Sequence, residues 1–126
     1  MSKKAIVTDK APAALGPYSA GVVSGGTINV SGQLGIDPAT GKLAGDDVQS
    51  QTRQSLTNVR NILEAAGATM ADVVEAEVLL ADMGDFKAMN EVYAEFFEAP
   101  YPARAAFQVA ALPAGGLVEI KCVARV

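Results

Sequence analysis

The sequence predicts an α+β domain in which two helices pack on one face of a mostly antiparallel sheet. The first observation is the order of the segments, in which the patterns run as strands, helix, strand, helix and two strands. The second is composition, since half of the 126 residues are hydrophobic and only 19% are charged. This apolar content suits one core and argues against disorder. We therefore expect residues 1–126 to form a single domain.

The N-terminal part of the chain is predicted to contain an edge strand, a loop and a β-hairpin. Residues 4–7 have the pattern of a short edge strand. Residues 9–19 contain Pro12 and Pro17, which lack backbone N–H donors, so we expect a loop here. Residues 22–31 predict a hairpin, because their central Gly-Gly pair supplies the positive φ that a tight turn requires.

Two segments have the periodicity of helices. In residues 46–66, Asp46 or Asp47 can cap the start of a helix and Gly67 can end it. The helical stripe consists of Val48, Thr52, Leu56, Val59, Ile62, Leu63 and Ala66. Asp85 is expected to cap a second helix. Its apolar face contains Phe86, Met89, Tyr93, Phe96 and Phe97.

Three more strands are predicted at residues 73–80, 104–111 and 117–125. Along the middle one of these, Phe107 and Val109 share a face that we expect to pack under the helices. The other face carries Arg104, Ala106 and Gln108. No helix is left to cover that second side of the sheet, so we expect it to be buried against copies of the chain in a closed homo-oligomer.

Charge and composition exclude several classes of function. The net charge of −4 argues against nucleic-acid binding, which requires clustered Lys and Arg. The chain has no histidine, so a Ser-His-Asp triad or a histidine metal site is impossible. Cys122 is the single cysteine and is expected to be a small core residue. We find neither a signal peptide nor a membrane-spanning segment, and we expect a cytoplasmic protein.

Two charged residues lie in otherwise apolar C-terminal strands. Arg104 begins one strand, and its forked guanidinium suits a planar carboxylate. Glu119 lies between Val118 and Ile120 in the next, where apolar neighbours could raise its pKa and make it a proton acceptor near neutral pH. The alternative is structural, because the two charges could be solvent-facing or could simply pair.

Three further residues stand out elsewhere in the chain. Tyr18 could pack its loop onto the core, with the hydroxyl at the surface. Gly32 could form a β-bulge or could allow a ligand to approach the backbone. Asn90 falls at the edge of the second helix's apolar face, where its amide could tie helix to sheet by a hydrogen bond.

Several separated motifs follow the order and spacing of a known family. They are Ala11-Pro12-Ala13-Ala14-Leu15-Gly16-Pro17-Tyr18-Ser19, Val30-Ser31-Gly32-Gln33, Asn90 with Tyr93, Phe96 and Phe97, Pro102-Ala103-Arg104, Leu112-Pro113 and Val118-Glu119-Ile120. Over essentially its whole length the chain resembles the RidA/YjgF family of enamine/imine deaminases. The resemblance implies a homotrimer with a chorismate-mutase-like fold. It also implies hydrolysis of short 2-imino acids, such as 2-iminobutanoate and 2-iminopropanoate, to 2-keto acids and ammonia without a cofactor.

The resemblance also assigns roles to individual residues. Arg104 would hold the substrate carboxylate, Glu119 would activate water and Tyr18 would line the cleft. The substrate-binding positions would be Ser31, Gly32, Asn90 and Ala106. Asn90 would lie beside the arginine, where its side-chain carbonyl could orient the guanidinium. Ala106 stands where the family often has Cys. Because the backbone carbonyl is the working group there, this departure should not abolish activity.

The spacing of the two charged residues suggests a cleft between subunits. If the last two strands form a hairpin turning near residues 114–115, Arg104 and Glu119 lie about 20 Å apart. We therefore expect adjacent subunits to share the cleft.

Two alternative functions remain open. One is the endoribonuclease activity and translation inhibition described for some relatives, and the other is a non-catalytic module that binds keto acids.

Overall fold

The computed structural model describes residues 2–126, so Met1 of the expected domain lies outside the described residues. The described chain contains a six-stranded sheet, a separate two-stranded ribbon and two α-helices. The strands are β1 (Lys4–Ile6), β2 (Gly21–Ser24), β3 (Thr27–Leu34), β4 (Ile36–Asp37), β5 (Lys42–Leu43), β6 (Val73–Leu80), β7 (Ala103–Gln108) and β8 (Val118–Arg125). The helices are α1 (Val48–Ala65) and α2 (Phe86–Tyr93).

The large sheet has the order β1-β2-β3-β8-β6-β7, and β4 pairs with β5. All neighbouring strands in it are antiparallel except β6 and β7, which are parallel. The predicted α+β class with a mostly antiparallel sheet is therefore confirmed. The predicted hairpin is also confirmed, since Ser24 pairs with Thr27 across the Gly25-Gly26 turn and Gly25 has a φ of 60°.

The helices begin where the sequence predicts, but α2 ends earlier than expected. The carboxylate of Asp47 accepts a hydrogen bond from Ser50 N–H and caps α1. The regular part of α2 ends at Tyr93 because the amides of Glu95 and Phe96 bond to carbonyls three residues back, those of Val92 and Tyr93. Phe97 nevertheless remains in the core and is 6% exposed.

The expected hairpin between the last two strands is wrong, because β6 lies between β7 and β8. Leu79 of β6 pairs with Phe107 on one side and with Glu119 on the other. The segment after β7 crosses the end of β6, where Val109 N–H donates to the Leu80 carbonyl. The physical reason lies in the side chains. One face of β8 is wholly apolar and buried, which suits a central strand, whereas β7 is mostly exposed and suits an edge.

The predicted faces of β7 are also reversed. Arg104 pairs with Ala76, which is buried under the helices, and Ala106 pairs with the buried Val78. Arg104, Ala106 and Gln108 therefore face the helices. Phe107 points to the opposite side of the sheet and is 43% exposed. Both faces of this strand carry apolar or small residues, so alternation alone did not fix which one meets the helices.

Polar residues of α1 attach this helix to the part of the sheet that surrounds Gly32. Ser55 Oγ donates to the Gln33 carbonyl at 2.6 Å, and Asn58 Nδ2 donates to the Ile36 carbonyl at 2.9 Å. Gln51 Oε1 accepts from Leu117 N–H at 2.8 Å. These side chains are fully buried or nearly so. Their hydrogen bonds position the end of β3 next to the start of β8, which carries Glu119.

Three features bear on the expectations from composition. Cys122 is buried in the core, and burial raises the pKa of its thiol to about 12. Within residues 2–126, no group of three or more His, Cys, Asp or Glu side chains is arranged to hold a metal ion. Neither helix of this part of the chain has the length and apolar composition needed to cross a membrane.

Candidate active site

The predicted site residues form two separate groups. The first group surrounds Arg104, at the exposed edge of the sheet beside α2. The second group surrounds Glu119, in a pocket bounded by the N-terminal loop and the end of β3. Each group contains residues that the sequence singled out, and each holds its charged residue in a different way.

Asn90 fixes the guanidinium of Arg104. Nη1 of Arg104 donates to Oδ1 of Asn90 at 2.6 Å, so this contact joins β7 to α2 and orients the cation. Arg104 also lies against two rings, since its Cζ is 5.4 Å from the ring centroid of Phe86 and 4.7 Å from that of Tyr93. A cleft of about 320 Å³ is lined by Asn90, Tyr93, Ala94, Tyr101, Pro102 and Arg104.

The positive charge of Arg104 has no carboxylate beside it in the described chain. Among residues 2–126, the single ion pair within 4.0 Å joins Arg53 to Glu95, at 3.1 Å. Asn90, Phe86 and Tyr93 are uncharged partners, so they hold the guanidinium without neutralising it. Arg104 is exposed, and its remaining N–H donors are therefore accessible to an anionic ligand.

Glu119 lies in a pocket of about 400 Å³. Its side chain is half-buried, and burial raises the pKa of the carboxyl above its usual range. Within residues 2–126, no side chain donates a hydrogen bond or forms an ion pair with this carboxylate. The pocket is lined by Pro12, Ala13, Ala14, Leu15, Tyr18, Ala20, Gly32, Gln33, Leu34, Ile36, Pro38, Gly41 and Pro113 together with Glu119.

Gly32 lies directly against the carboxylate of Glu119. A Cβ at Gly32 would be 2.8 Å from Oε2 of Glu119 and 2.9 Å from its Cδ. The pairing of β3 with β8 shifts register between Val30 and Gln33, so Ser31 and Gly32 form a bulge. The bulge expected as one interpretation of Gly32 is thus present. Because Gly32 has no side chain, the Glu119 carboxylate has room to lie beside it.

Ser31 and Tyr18 connect the N-terminal loop to this pocket. Ser31 Oγ donates to the Ser19 carbonyl at 2.6 Å, and Ser31 N–H donates to the Ala20 carbonyl at 2.9 Å. These bonds hold the end of the loop against β3. Tyr18 is 55% exposed and lines the pocket rather than filling the core. Ser31 therefore holds the loop by hydrogen bonds and does not itself line the pocket.

Ala106 lies apart from both groups. It is half-buried on β7, faces the helices and packs against the core. It lines neither the cleft beside Arg104 nor the pocket around Glu119. Its backbone pairs in register with Val78 of β6.

The two groups lie on opposite sides of the sheet. On β6, the strand between them, Arg104 pairs with Ala76 and Glu119 with Leu79. Ala76 and Leu79 are three residues apart, so they point to opposite faces of the sheet and lie about 10 Å apart along β6. The hairpin behind the expected separation of about 20 Å is absent, but the opposite faces and the intervening strand keep the two side chains apart within one chain. Within one chain, both side chains cannot reach one small ligand.

Sequence reasoning missed two kinds of residue at these sites. Phe86 and Tyr93 pack against the core as expected, but their contact with Arg104 was not predicted, although their spacing from Asn90 by four and three positions was a usable signal. The apolar lining of the Glu119 pocket comes from distant segments, such as Leu15, Leu34 and Pro113. No local pattern connects these segments, because the bulge in β3 and the crossing after β7 bring them together.

Comparison with known proteins shows what the chain is similar to. Residues 8–126 match the model of the family described as Endoribonuclease L-PSP. A Capra hircus protein named 2-iminobutanoate/2-iminopropanoate deaminase is 54% identical over 122 residues, which cover 97% of this chain and 89% of that protein.

Solved structures of relatives have the same fold. RidA from Psychrobacter sp. superposes with a TM-score of 0.94 at 49% identity, covering 98% of this chain and 99% of the other. E. coli TdcF with bound serine gives a TM-score of 0.94 at 43% identity, covering 98% of both chains. The fold, the motifs and the match over nearly the whole length agree, and the chain belongs to the RidA/YjgF family, whose model is described as Endoribonuclease L-PSP.

Proposed function

We propose that this chain is a 2-iminobutanoate/2-iminopropanoate deaminase. It hydrolyses the C=N bond of short 2-imino acids, taking up water and releasing a 2-keto acid and ammonia. The observation that carries the proposal is an exposed arginine, Arg104, which is oriented by uncharged partners and has no carboxylate beside it in residues 2–126. The name of the Capra hircus relative supports this substrate class.

Arg104 binds the substrate carboxylate. A guanidinium offers parallel N–H donors that match the two oxygens of a carboxylate. Asn90 occupies Nη1 and leaves the other donors for the ligand. A carboxylate partner from the protein would compete with the substrate, and none lies within ion-pair distance in the described chain.

Glu119 activates the water that attacks the imine carbon. Its raised pKa makes it a better proton acceptor than an ordinary exposed carboxylate. The carboxylate takes a proton from water as the C–O bond forms, and the electron pair of the C=N bond moves to nitrogen. Glu119 returns its proton to that nitrogen and the new hydroxyl group gives up a second one to it, so ammonia leaves as the C=O bond forms. The imine is already electrophilic, so the step needs no cofactor.

We infer that the cleft is completed by a second copy of the chain. Arg104 and Glu119 of one chain face opposite sides of the sheet, so a complete site requires the two residues from adjacent subunits. Within residues 2–126, both helices pack on one side and leave the other side of the sheet free to meet a copy. A homotrimer with a chorismate-mutase-like fold and three shared clefts fits these constraints.

The remaining assignments follow from the same proposal. Residues 1–126 act as one RidA-like domain in the cytoplasm, where enamines and imines released by pyridoxal-phosphate dehydratases are removed. Tyr18 and the Ser31-Gly32 bulge shape the Glu119 side of the cleft. The family resemblance gives Ala106 a role only through its backbone carbonyl, and within one chain this residue lies outside both groups.

The description of the family model favours a second candidate, an endoribonuclease. The chain has no histidine and a net charge of −4, so it lacks a common general base and a basic surface for RNA. We therefore place the deaminase first. Incubation of the purified protein with single-stranded RNA tests the second candidate, and no cleavage above a buffer control is expected.

A dehydratase-coupled assay tests the deaminase. Threonine dehydratase supplies the enamine and imine, and keto-acid release is followed with and without this protein. We expect faster release with wild-type protein and no acceleration with Arg104→Ala. Binding of 2-ketobutyrate without any acceleration would instead identify a non-catalytic binding module.

A further inference from the structure

The arginine of the proposed site is held by aromatic rings as well as by an amide. The ring centroids of Phe86 and Tyr93 lie 5.4 Å and 4.7 Å from Cζ of Arg104, on the same helix as Asn90. Positions 86, 90 and 93 fall on one face of α2. We propose that Phe86 and Tyr93 are positioning residues that hold the Arg104 guanidinium in the orientation in which it binds the carboxylate of a 2-imino acid.

The chemistry of a guanidinium explains why rings suit this task. Its N–H donors lie in the plane of the group, whereas an aromatic ring attracts the cation through the ring face. Phe86 and Tyr93 can therefore fix the plane of Arg104 without occupying its donors. A glutamate or aspartate in their place would take in-plane donors and cancel the charge, and both are needed for the ligand.

The helix provides a rigid support for the exposed arginine. Tyr93 is 6% exposed and packs on Phe97, with the ring centroids 4.6 Å apart. Met89 on the same helix is 0% exposed. The Tyr93 hydroxyl is buried and has no hydrogen-bond partner among the described residues, so the ring is the part of Tyr93 that acts on Arg104. Buried residues of α2 thus orient the exposed side chain of Arg104.

The central experiment replaces Phe86 by leucine, which keeps an apolar side chain and removes the ring. We expect Phe86→Leu to weaken binding of 2-ketobutyrate by about two- to fivefold, the factor that corresponds to one exposed cation–π contact. KM for the imine should rise by a similar factor while kcat changes little, because the contact serves binding rather than the chemical step. NMR provides a readout that does not depend on activity. The Arg104 Nε–Hε resonance should lie upfield in the wild type and move downfield in the variant.

The chain offers a matched control outside the site. Cζ of Arg60 lies 5.5 Å from the ring centroid of Phe96, a cation–π pair of nearly the same geometry. Phe96→Leu removes a ring of the same kind and should leave both the affinity for 2-ketobutyrate and the Arg104 resonance unchanged. Tyr93→Phe should retain most of the affinity that Tyr93→Leu loses, because phenylalanine keeps the ring.

The inference rests on the proposed function, and the outcomes distinguish the two. A wild-type protein that neither accelerates keto-acid release nor binds 2-ketobutyrate refutes the function. A wild-type protein that does both, with Phe86→Leu equal to it in affinity and in the Arg104 resonance, refutes the positioning role. Equal losses in Phe86→Leu and Phe96→Leu also refute it, because the effect would then come from general loosening of the fold.

Discussion

Arg104 and Glu119, the two charged residues expected to carry the chemistry, are held in opposite ways. Arg104 is exposed on an edge strand, and its orientation is set by contacts with Asn90, Phe86 and Tyr93. Glu119 is half-buried on a central strand, and no hydrogen-bond donor among the side chains of residues 2–126 contacts its carboxylate. Neighbouring side chains set the orientation of Arg104, whereas burial raises the pKa of Glu119.

The difference matches what each proposed task requires. Binding a carboxylate needs a permanent charge with a fixed direction, which uncharged partners provide without competing for the ligand. Activating water needs a carboxylate of raised proton affinity, which burial provides and a nearby cation would remove. The fold keeps these environments on opposite sides of one sheet, so a single chain cannot let its own arginine neutralise its own glutamate. The predictions that follow test each half of this contrast.

Removing the arginine should have the largest effect. Arg104→Ala loses the charge-assisted hydrogen bonds to the carboxylate, each of which contributes about 1.5–3 kcal/mol. We expect kcat/KM in the dehydratase-coupled assay to fall by about a hundredfold or more while the protein stays folded and oligomeric. Arg104→Lys should recover little, because a point charge cannot reproduce a two-point contact. Near wild-type turnover in Arg104→Ala would remove the central residue of the proposal.

Replacing the glutamate should have the next largest effect. Glu119→Gln keeps the shape of the side chain and removes its basic oxygen. Positioned general bases raise the rate by about 100- to 10,000-fold, and because the imine is already reactive we expect Glu119→Gln to lower the rate by about 100-fold. Affinity for 2-ketobutyrate should persist, since Arg104 supplies that contact. A rate assay, a thermal melt and a keto-acid titration on the same variant make the comparison. Unchanged turnover with a lowered melting temperature would assign Glu119 a structural role.

The sequence predicted that Arg104 and Glu119 were candidate site residues, but it did not predict where the fold places them relative to each other. A charge inside an apolar strand stands out locally, so Arg104 and Glu119 were identifiable as candidates. Their relative placement was not, because it depends on β6 lying between β7 and β8. The face of Arg104 was predicted wrongly for the same reason. A strand with small or apolar residues on both sides takes its register from its neighbour, which is a long-range property.

Gly32 gives a smaller and more specific test of the Glu119 environment. Gly32→Ala adds a Cβ that would lie 2.8 Å from Glu119 Oε2, so the carboxylate must move. We expect about a tenfold loss of turnover, below the roughly hundredfold cost of a 1 Å misplacement. Gly45→Ala is a matched control, because its Cβ would lie 2.8 Å from the Ser50 Cβ, away from both groups. Equal losses of turnover in the two variants would show that steric overlap in general, and not the carboxylate, is responsible.

The pH dependence of stability should show the smallest effect and tests the contrast most directly. Because burial raises the pKa of Glu119, the folded chain binds a proton at pH values where the unfolded chain, with a carboxyl pKa near 4.5, has lost it. That contribution to the free energy of unfolding is present below the unfolded value and is lost as the pH rises through the folded value. Glutamine does not titrate, so wild type should lose stability relative to Glu119→Gln as the pH rises from about 4.5, and the difference should then level off. The effect should be modest, because the side chain is partly open to solvent.

Urea unfolding of both proteins at a series of pH values, at one fixed concentration because assembly adds to stability, measures this slope. If wild type instead gains stability relative to Glu119→Gln as the pH rises, a positive charge beside Glu119 lowers its pKa in the assembled protein. A subunit that brings its arginine next to the glutamate of a neighbour would do so, and Arg104→Ala should then restore the expected direction. The sign of the slope therefore tells how closely the arginine of the neighbouring subunit approaches the glutamate in the shared cleft.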